Sequence, residues 1–195
     1  MIRDDLSDKL IHLTRDTDIK KGYESFLNII KTKTLIGGST DVKGPFKCIC
    51  FTEAPITSLA QVIARQTNEM RYSPYGFMFS KEYLFSLGAR PVIYEPDEEY
   101  EELPDKVKYR HVRFDLTNDK KVDWTWEREW RLKIDEFKIS PKDLTLIVPT
   151  RKEINELIAK YQENKRSAGY TRAFGSFPQI EWHFIALEDL GFTFE

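Results

Sequence analysis

The sequence predicts an α+β domain with a twisted, mainly antiparallel sheet and flanking helices. Short apolar or alternating segments recur along the chain, and three or four amphipathic segments of helical length lie between them. The gaps between the late segments are short enough for hairpins. At 195 residues the chain is most simply one domain, residues 1–195, which can bury a core without disulfides.

Composition narrows the class of protein. The 32 acidic and 30 basic residues give a net charge of -2, which argues against an extended polyanion-binding surface. No apolar stretch is long enough to span a membrane, and the N-terminus lacks the basic end and apolar run of a signal peptide. Cys48 and Cys50 are the only cysteines and share a strand face, so we expect buried thiols in a reducing cytoplasm. No His/Cys cluster has zinc spacing.

The most informative segment is residues 124–135, W-T-W-E-R-E-W-R-L-K-I-D. Its even positions are mostly apolar and its odd positions polar, which predicts one β-strand carrying three of the four tryptophans on its buried face. Glu127 and Glu129 would then point the same way on the polar face. They are either a solvated surface, with Arg131 and Lys133 as partners worth ~0–1 kcal/mol each, or a carboxylate pair at the mouth of a cleft.

Two earlier strands also end in polar residues. Residues 9–14 alternate as a first strand with His12 and Thr14 on one face, where a histidine is as often structural as functional. Residues 46–52 are nearly continuous in apolar residues and predict a central strand covered on both faces. It ends in Thr52, at a position that suits either a site or a helix cap.

A third strand, residues 75–80, begins with Tyr75 and Gly76; the glycine allows close approach of a backbone or a ligand. Residues 107–116 suit a strand or a helix. Residues 164–177 interleave basic and aromatic side chains, as in a nucleic-acid contact loop or an ordinary loop. The sequence also predicts a first helix that follows capping residues at 16–18 and runs to about residue 31. Further helices are predicted at 55–68, 81–87 and 151–165, and further strands at 90–94, 144–148 and 180–187.

Five motifs together resemble a known pattern: H-L-T at 12–14, C-F-T-E at 50–53, Y-G-F-M-F at 75–79, P-V-I-Y at 91–94 and W-E-R-E-W-R at 126–131. In order and spacing they are similar to AbiGi-type abortive phage-resistance proteins and related uncharacterised bacterial families. The similarity runs from about residue 10 to residue 135. These families in turn resemble, remotely, the ADP-ribosyltransferase fold.

The resemblance implies that NAD is bound as a substrate and that no metal is needed. It implies that His12, together with Thr14, holds NAD from the first strand. Tyr75, or with less support Thr52, would lie beside the nicotinamide. The chain has no Ser-Thr-Ser triplet, in which it departs from the pattern of the transferases.

Glu129 would be the catalytic glutamate and Glu127 would orient the acceptor. His12 and Tyr75 are then expected across a cleft from Glu129. The implied function is an NAD-dependent ADP-ribosyltransferase-like effector, a toxin or phage-defence protein that modifies a protein or nucleic-acid acceptor. Because AbiGi proteins are also labelled antitoxins, the alternative is a non-catalytic interaction module with an operon-encoded partner. A metal-dependent nuclease is disfavoured, since no acidic cluster with a matched lysine is evident.

Overall fold

The computed structural model describes residues 6–15, 18–64, 72–117, 121–167 and 181–193. The strands found there are β1 (Lys9–Leu13), β2 (Thr34–Ile36), β3 (Cys48–Thr52), β4 (Gly76–Ser80), β5 (Arg90–Pro91), β6 (Ile93–Glu95), β7 (His111–Arg113), β8 (Glu129–Lys133), β9 (Glu136–Lys138), β10 (Leu144–Val148) and β11 (His183–Ala186). The helices found there are α1 (Ile19–Thr32), α2 (Ile56–Ala64), α3 (Lys81–Ser86) and α4 (Arg151–Ser167).

Seven strands form the main sheet in the order β11-β10-β4-β1-β3-β8-β5. Its neighbouring strands are antiparallel except for the parallel pair β10–β11. The described chain is therefore mixed α and β with a mostly antiparallel sheet, as the sequence predicts. Two small sheets, antiparallel β2–β9 and parallel β6–β7, lie beside it.

Alternation of side chains along β1 divides the core into two. Leu10 joins the larger cluster on one face of the sheet, where Phe77 and Phe79 pack with Phe26 of α1. Ile11 joins a smaller cluster on the other face, against α2. The face assignment made from the sequence is thus confirmed for β1. Asp18 caps α1 by accepting a hydrogen bond from the Lys20 amide at 2.9 Å, while residues 16 and 17 lie outside the described chain.

The two central strands are joined weakly. Only Ile11 and Thr52 pair between β1 and β3, whereas β1 pairs with β4 from Lys9 to Leu13. Beside this pair the Nδ1 atom of His12 lies 2.8 Å from the carbonyl oxygen of Cys50. Since a carbonyl can only accept, Nδ1 carries the proton and donates it. A side chain thus takes the place of a ladder hydrogen bond, and the sheet is interrupted between β1 and β3.

Several predicted elements differ in detail. The strand predicted at 90–94 is two strands, because β5 pairs with β8 while β6 pairs with β7. Residues 107–116 were predicted as a strand or a helix. They form a 3₁₀ turn at Lys108–Arg110 and then the short strand β7. The basic and aromatic segment at 164–177 lies outside the side chains that the structure describes. Among the described helices, none has both the length and the apolar character that crossing a membrane requires.

Candidate functional site

The two glutamates lie around a tight turn instead of on one strand. Residues Thr125–Glu127 form a 3₁₀ turn, Arg128 is left-handed with φ 46° and ψ 53°, and β8 begins only at Glu129. The prediction of a strand across 124–135 is therefore wrong for its first half. The cause is local: the Asp123 carboxylate accepts hydrogen bonds from the Thr125 amide at 2.9 Å and hydroxyl at 2.6 Å. This short-range bonding favours a turn over extended chain.

The turn also changes which tryptophans are buried. Leu132 is in the core and Trp130 packs against it, as the alternation predicts. Trp126, on the turn, is 41% exposed, and Ile134, beyond the end of β8, is 38% exposed. The parity of a strand does not continue through a left-handed residue, so the predicted apolar face holds only for β8.

Several contacts fix the backbone of this turn, residues 125–128. The Thr52 hydroxyl donates to the Glu127 carbonyl at 2.5 Å, and the Glu53 amide donates to the Arg128 carbonyl at 3.2 Å. A left-handed conformation costs a residue other than glycine ~1–2 kcal/mol. Strained residues persist only where the surroundings over-determine them. The contacts with Thr52 and Glu53 do so for the 125–128 turn.

Glu129 is one half of a buried ion pair. Arg131 is 1% exposed, and its Nε donates to Glu129 Oε1 at 2.7 Å. Its Nη atoms donate to the carbonyls of Tyr109, His111 and Asp41 at 2.8–2.9 Å. The sequence-based interpretation of Arg131 as a weak surface partner is therefore wrong, because loops distant in sequence fold over this side chain.

Glu127 accepts hydrogen bonds from Tyr72, a tyrosine that none of the sequence motifs contains. The Tyr72 hydroxyl donates to both carboxylate oxygens of Glu127, at 3.1 and 3.0 Å. Burial, and then the negative charge of Glu127, raise the pKa of Tyr72, so the phenol stays protonated and remains a donor. The charge of Glu129 raises the same pKa more weakly than that of Glu127.

Arg15 adds a positive charge to this group. It follows β1, forms an ion pair with Asp41, and its side chain is 45% exposed. The Ser73 amide donates to the Thr14 carbonyl at 2.9 Å, so the segments that carry Tyr72 and Arg15 are adjacent. The charge of Arg15 opposes the rise in the pKa of Tyr72. We call Glu127, Glu129, Tyr72 and Arg15 the carboxylate cluster. The only sequence signal for Tyr72 and Arg15 is that both flank strands of the main sheet.

His12 does not face this cluster. Ile11 is paired with Thr52, and Thr52 is paired with Glu129, so these three side chains project from one face of the sheet. His12 follows Ile11 and projects from the other face, where it packs against Phe51. Burial lowers the pKa of His12, which keeps the imidazole neutral.

Tyr75 and Thr14 are buried in this conformation. Tyr75 is 4% exposed and packs against Tyr23 and Phe26, with ring centroids 5.1 and 5.4 Å away. Thr14 is 3% exposed, and its hydroxyl is hydrogen-bonded to Ser73 Oγ at 2.5 Å. Both side chains are packed inside the protein. The expected cleft with His12 and Tyr75 facing Glu129 is therefore wrong, since the sheet lies between them.

An open cavity of about 270 Å³ adjoins the 125–128 turn. In its wall Glu53 accepts hydrogen bonds from Lys81 Nζ and Trp130 Nε1, both at 2.7 Å. The cavity is open to solvent, and its volume lies just below the range of ~300–1,000 Å³ typical of small-molecule sites. The lining residues are Leu6, Glu53, Pro91, Val92, Tyr94, Thr125, Arg128, Glu129 and Trp130.

The carboxylate cluster combines groups with complementary chemistry. Two carboxylates can stabilise a developing cation, a phenol can donate to a hydroxyl or an anion, and an exposed guanidinium can bind a phosphate. Comparisons of the chain with protein-family models, with characterised proteins and with solved structures found no match.

Proposed function

We propose that this chain is an NAD-dependent ADP-ribosyltransferase-like effector that transfers ADP-ribose to a protein or nucleic-acid acceptor. One observation carries the proposal: Glu127 and Glu129 lie at the end of one tight turn that is hydrogen-bonded to the end of β3, and the Tyr72 hydroxyl donates to Glu127. The resemblance of five motifs to AbiGi-type proteins, and through them to the ADP-ribosyltransferase fold, supports the same activity. We propose an ADP-ribosyltransferase-like arrangement of the sheet on the same grounds.

The proposed reaction breaks the bond between nicotinamide and C1′ of the ribose, and a new bond forms between C1′ and the acceptor. Nicotinamide leaves as a neutral molecule, and the proton of the acceptor passes to Glu127. The ribose becomes cation-like in the transition state, as in glycoside cleavage. A carboxylate whose orientation is already fixed stabilises that charge without reorganising. The contact with Arg131 fixes Glu129 in this way.

The remaining parts of NAD would fall to residues that the sequence did not suggest. Arg15 is exposed enough to exchange Asp41 for a diphosphate, and Tyr72 can donate to a ribose hydroxyl. The NAD-binding roles of His12, Thr14, Thr52 and Tyr75 stay predictions, and only the resemblance supports them.

Nicotinamide release tests the proposal. The purified chain is incubated with NAD, alone and with bacterial lysate, and nicotinamide is measured by chromatography. Glu129→Asp keeps a negative charge for Arg131 but withdraws the carboxylate by one methylene, so we expect a rate loss of about 100-fold. The matched control is Glu136→Asp, whose carboxylate is 61% exposed at the surface. The absence of release with any lysate would overturn the transferase proposal.

A specific observation favours a second function, a non-catalytic antitoxin or interaction module. Glu129 and Glu127 are both already hydrogen-bonded within the protein, to Arg131 and Tyr72. These hydrogen bonds can equally serve to hold the turn rigid. The turn would then present Trp126, which is 41% exposed, to a partner protein. Co-expression with the product of the neighbouring gene, followed by size-exclusion chromatography, tests this function. Co-elution of wild type that Trp126→Ser abolishes would support it, and separate elution of wild type would count against it.

A further inference from the structure

The hydroxyl of Tyr94 connects the two ends of the 125–128 turn. It donates to the carbonyl oxygen of Trp124 at 3.2 Å and accepts from the amide of Glu129 at 3.1 Å. Trp124 comes just before the turn and Glu129 just after it. One side-chain atom therefore holds together the residues between which Glu127 and the left-handed Arg128 lie.

The Tyr94 hydroxyl occupies the position in which a neighbouring strand would place a backbone carbonyl. The amide and carbonyl of one strand residue point toward the same neighbour. The Glu129 carbonyl accepts from the Val92 amide at 3.0 Å, so the Glu129 amide also faces the segment between β5 and β6. There it donates to Tyr94 Oη, and among the described residues no backbone carbonyl accepts from it. Without this hydroxyl the amide would lose its partner at the residue where β8 begins.

The protonation of Tyr94 suits this double role. Burial raises the pKa of Tyr94 to about 12. The phenol therefore keeps its proton at neutral pH. It can donate to Trp124 while its oxygen accepts from Glu129.

We propose that Tyr94 is a positioning residue whose hydroxyl fixes the 125–128 turn and thereby the placement of Glu127 relative to Glu129. Its effect on rate rests on the proposed transferase function, whereas its effect on the turn does not. Nothing in the sequence singles out this tyrosine for such a role, because it lies 35 residues before the glutamate whose amide it binds.

The test compares Tyr94→Phe with Tyr100→Phe. Each variant loses one tyrosine hydroxyl, and Tyr100 bonds the Lys43 carbonyl at 3.3 Å, outside the carboxylate cluster. Amide hydrogen exchange at Glu129 is followed by NMR, and kcat and KM for nicotinamide release are measured on the same samples. Melting temperatures identify any general loss of structure.

We expect exchange at the Glu129 amide to become about ten-fold faster in Tyr94→Phe and to stay unchanged in Tyr100→Phe. We expect kcat to fall about ten-fold or more with KM within about two-fold of wild type, since misplaced groups cost rate more than binding. Unchanged exchange at Glu129 would overturn the proposal, as would faster exchange with unchanged kcat. If wild type releases no nicotinamide, the transferase function fails, and the exchange measurement alone decides whether Tyr94 fixes the turn.

Discussion

Arg131 and Glu129 lie two residues apart on β8 and form a buried ion pair with a separation of 2.7 Å. The guanidinium also bonds three backbone carbonyls, so this one side chain joins β8 to the segment around Tyr109 and to the loop at Asp41. Glu129 is therefore the counter-charge of a structural arginine as well as a candidate for chemistry. The structural role and the catalytic role predict different effects of substitutions at Glu129.

Glu129→Gln should lower the free energy of unfolding by about 3–5 kcal/mol, because it leaves a buried guanidinium without its counter-charge. Glu127→Gln should cost at most about 1 kcal/mol, since the amide oxygen can still accept from Tyr72. Urea unfolding of the two variants measures the difference. Equal stabilities would show that the ion pair contributes nothing beyond an exposed pair, and Glu129→Gln could then serve as a simple test of catalysis.

The left-handed turn gives a second prediction. At Arg128, φ 46°, valine should be about 1–2 kcal/mol less stable than glycine, because a β-branched side chain clashes with the backbone there. Chemical denaturation of Arg128→Val and Arg128→Gly gives the difference directly.

Lys33 provides the matched comparison, since it is also left-handed, with φ 52°, and ends α1 as its C-cap. The same pair of substitutions at Lys33 should show a similar difference. If valine and glycine are equally stable at Arg128 but not at Lys33, the turn is not strained.

The comparison of sequence and structure separates local from distant causes. The strand at Leu144–Val148 and the cap at Asp18 were predicted because alternation and capping depend on a few neighbouring residues. The 125–128 turn was not predicted, because an alternating pattern cannot show that Asp123 bonds Thr125 instead.

The candidate site was predicted only in part because its contacts join residues that are distant in sequence. Glu127 and Glu129 were identified from their spacing, but Tyr72 contacts Glu127 from 55 residues away. Asp41 contacts Arg131 from 90 residues away. Contacts of this kind depend on how the strands pair, and periodicity in the sequence does not contain that information. The same limit explains why His12 was expected to face Glu129, although the pairing places them on opposite faces.

Gly76 gives a third prediction. A Cβ atom there would lie 2.8 Å from the carbonyl oxygen of His12, on the adjacent strand β1. Because backbone at the centre of a sheet cannot move away cheaply, Gly76→Ala should cost about 1–3 kcal/mol. At Gly38 a Cβ would have no atom within 4 Å, so Gly38→Ala should stay near wild type. Thermal unfolding of both variants tests this, and similar melting temperatures would contradict the close approach of β1 and β4.

His12 gives a prediction about acid stability. Burial lowers its pKa below the ordinary 6.5, and its neutral form donates from Nδ1 to the Cys50 carbonyl. Between the lowered folded pKa and 6.5, the unfolded chain binds a proton that the folded chain does not. The contribution of His12 to stability is therefore complete above pH 6.5 and is lost progressively as the pH falls toward the folded pKa.

His12→Asn should remove this dependence, because its amide nitrogen can occupy the position of Nδ1 and does not titrate. Urea midpoints at about pH 7.5 and about pH 5 should differ less for His12→Asn than for wild type. Acidic groups that titrate in the same range act on both proteins, so they cancel in the comparison. His183→Asn, at an exposed histidine of β11, controls for the loss of an imidazole elsewhere in the sheet. If His12→Asn shows the same dependence on pH as wild type, the fold does not hold the imidazole of His12 neutral.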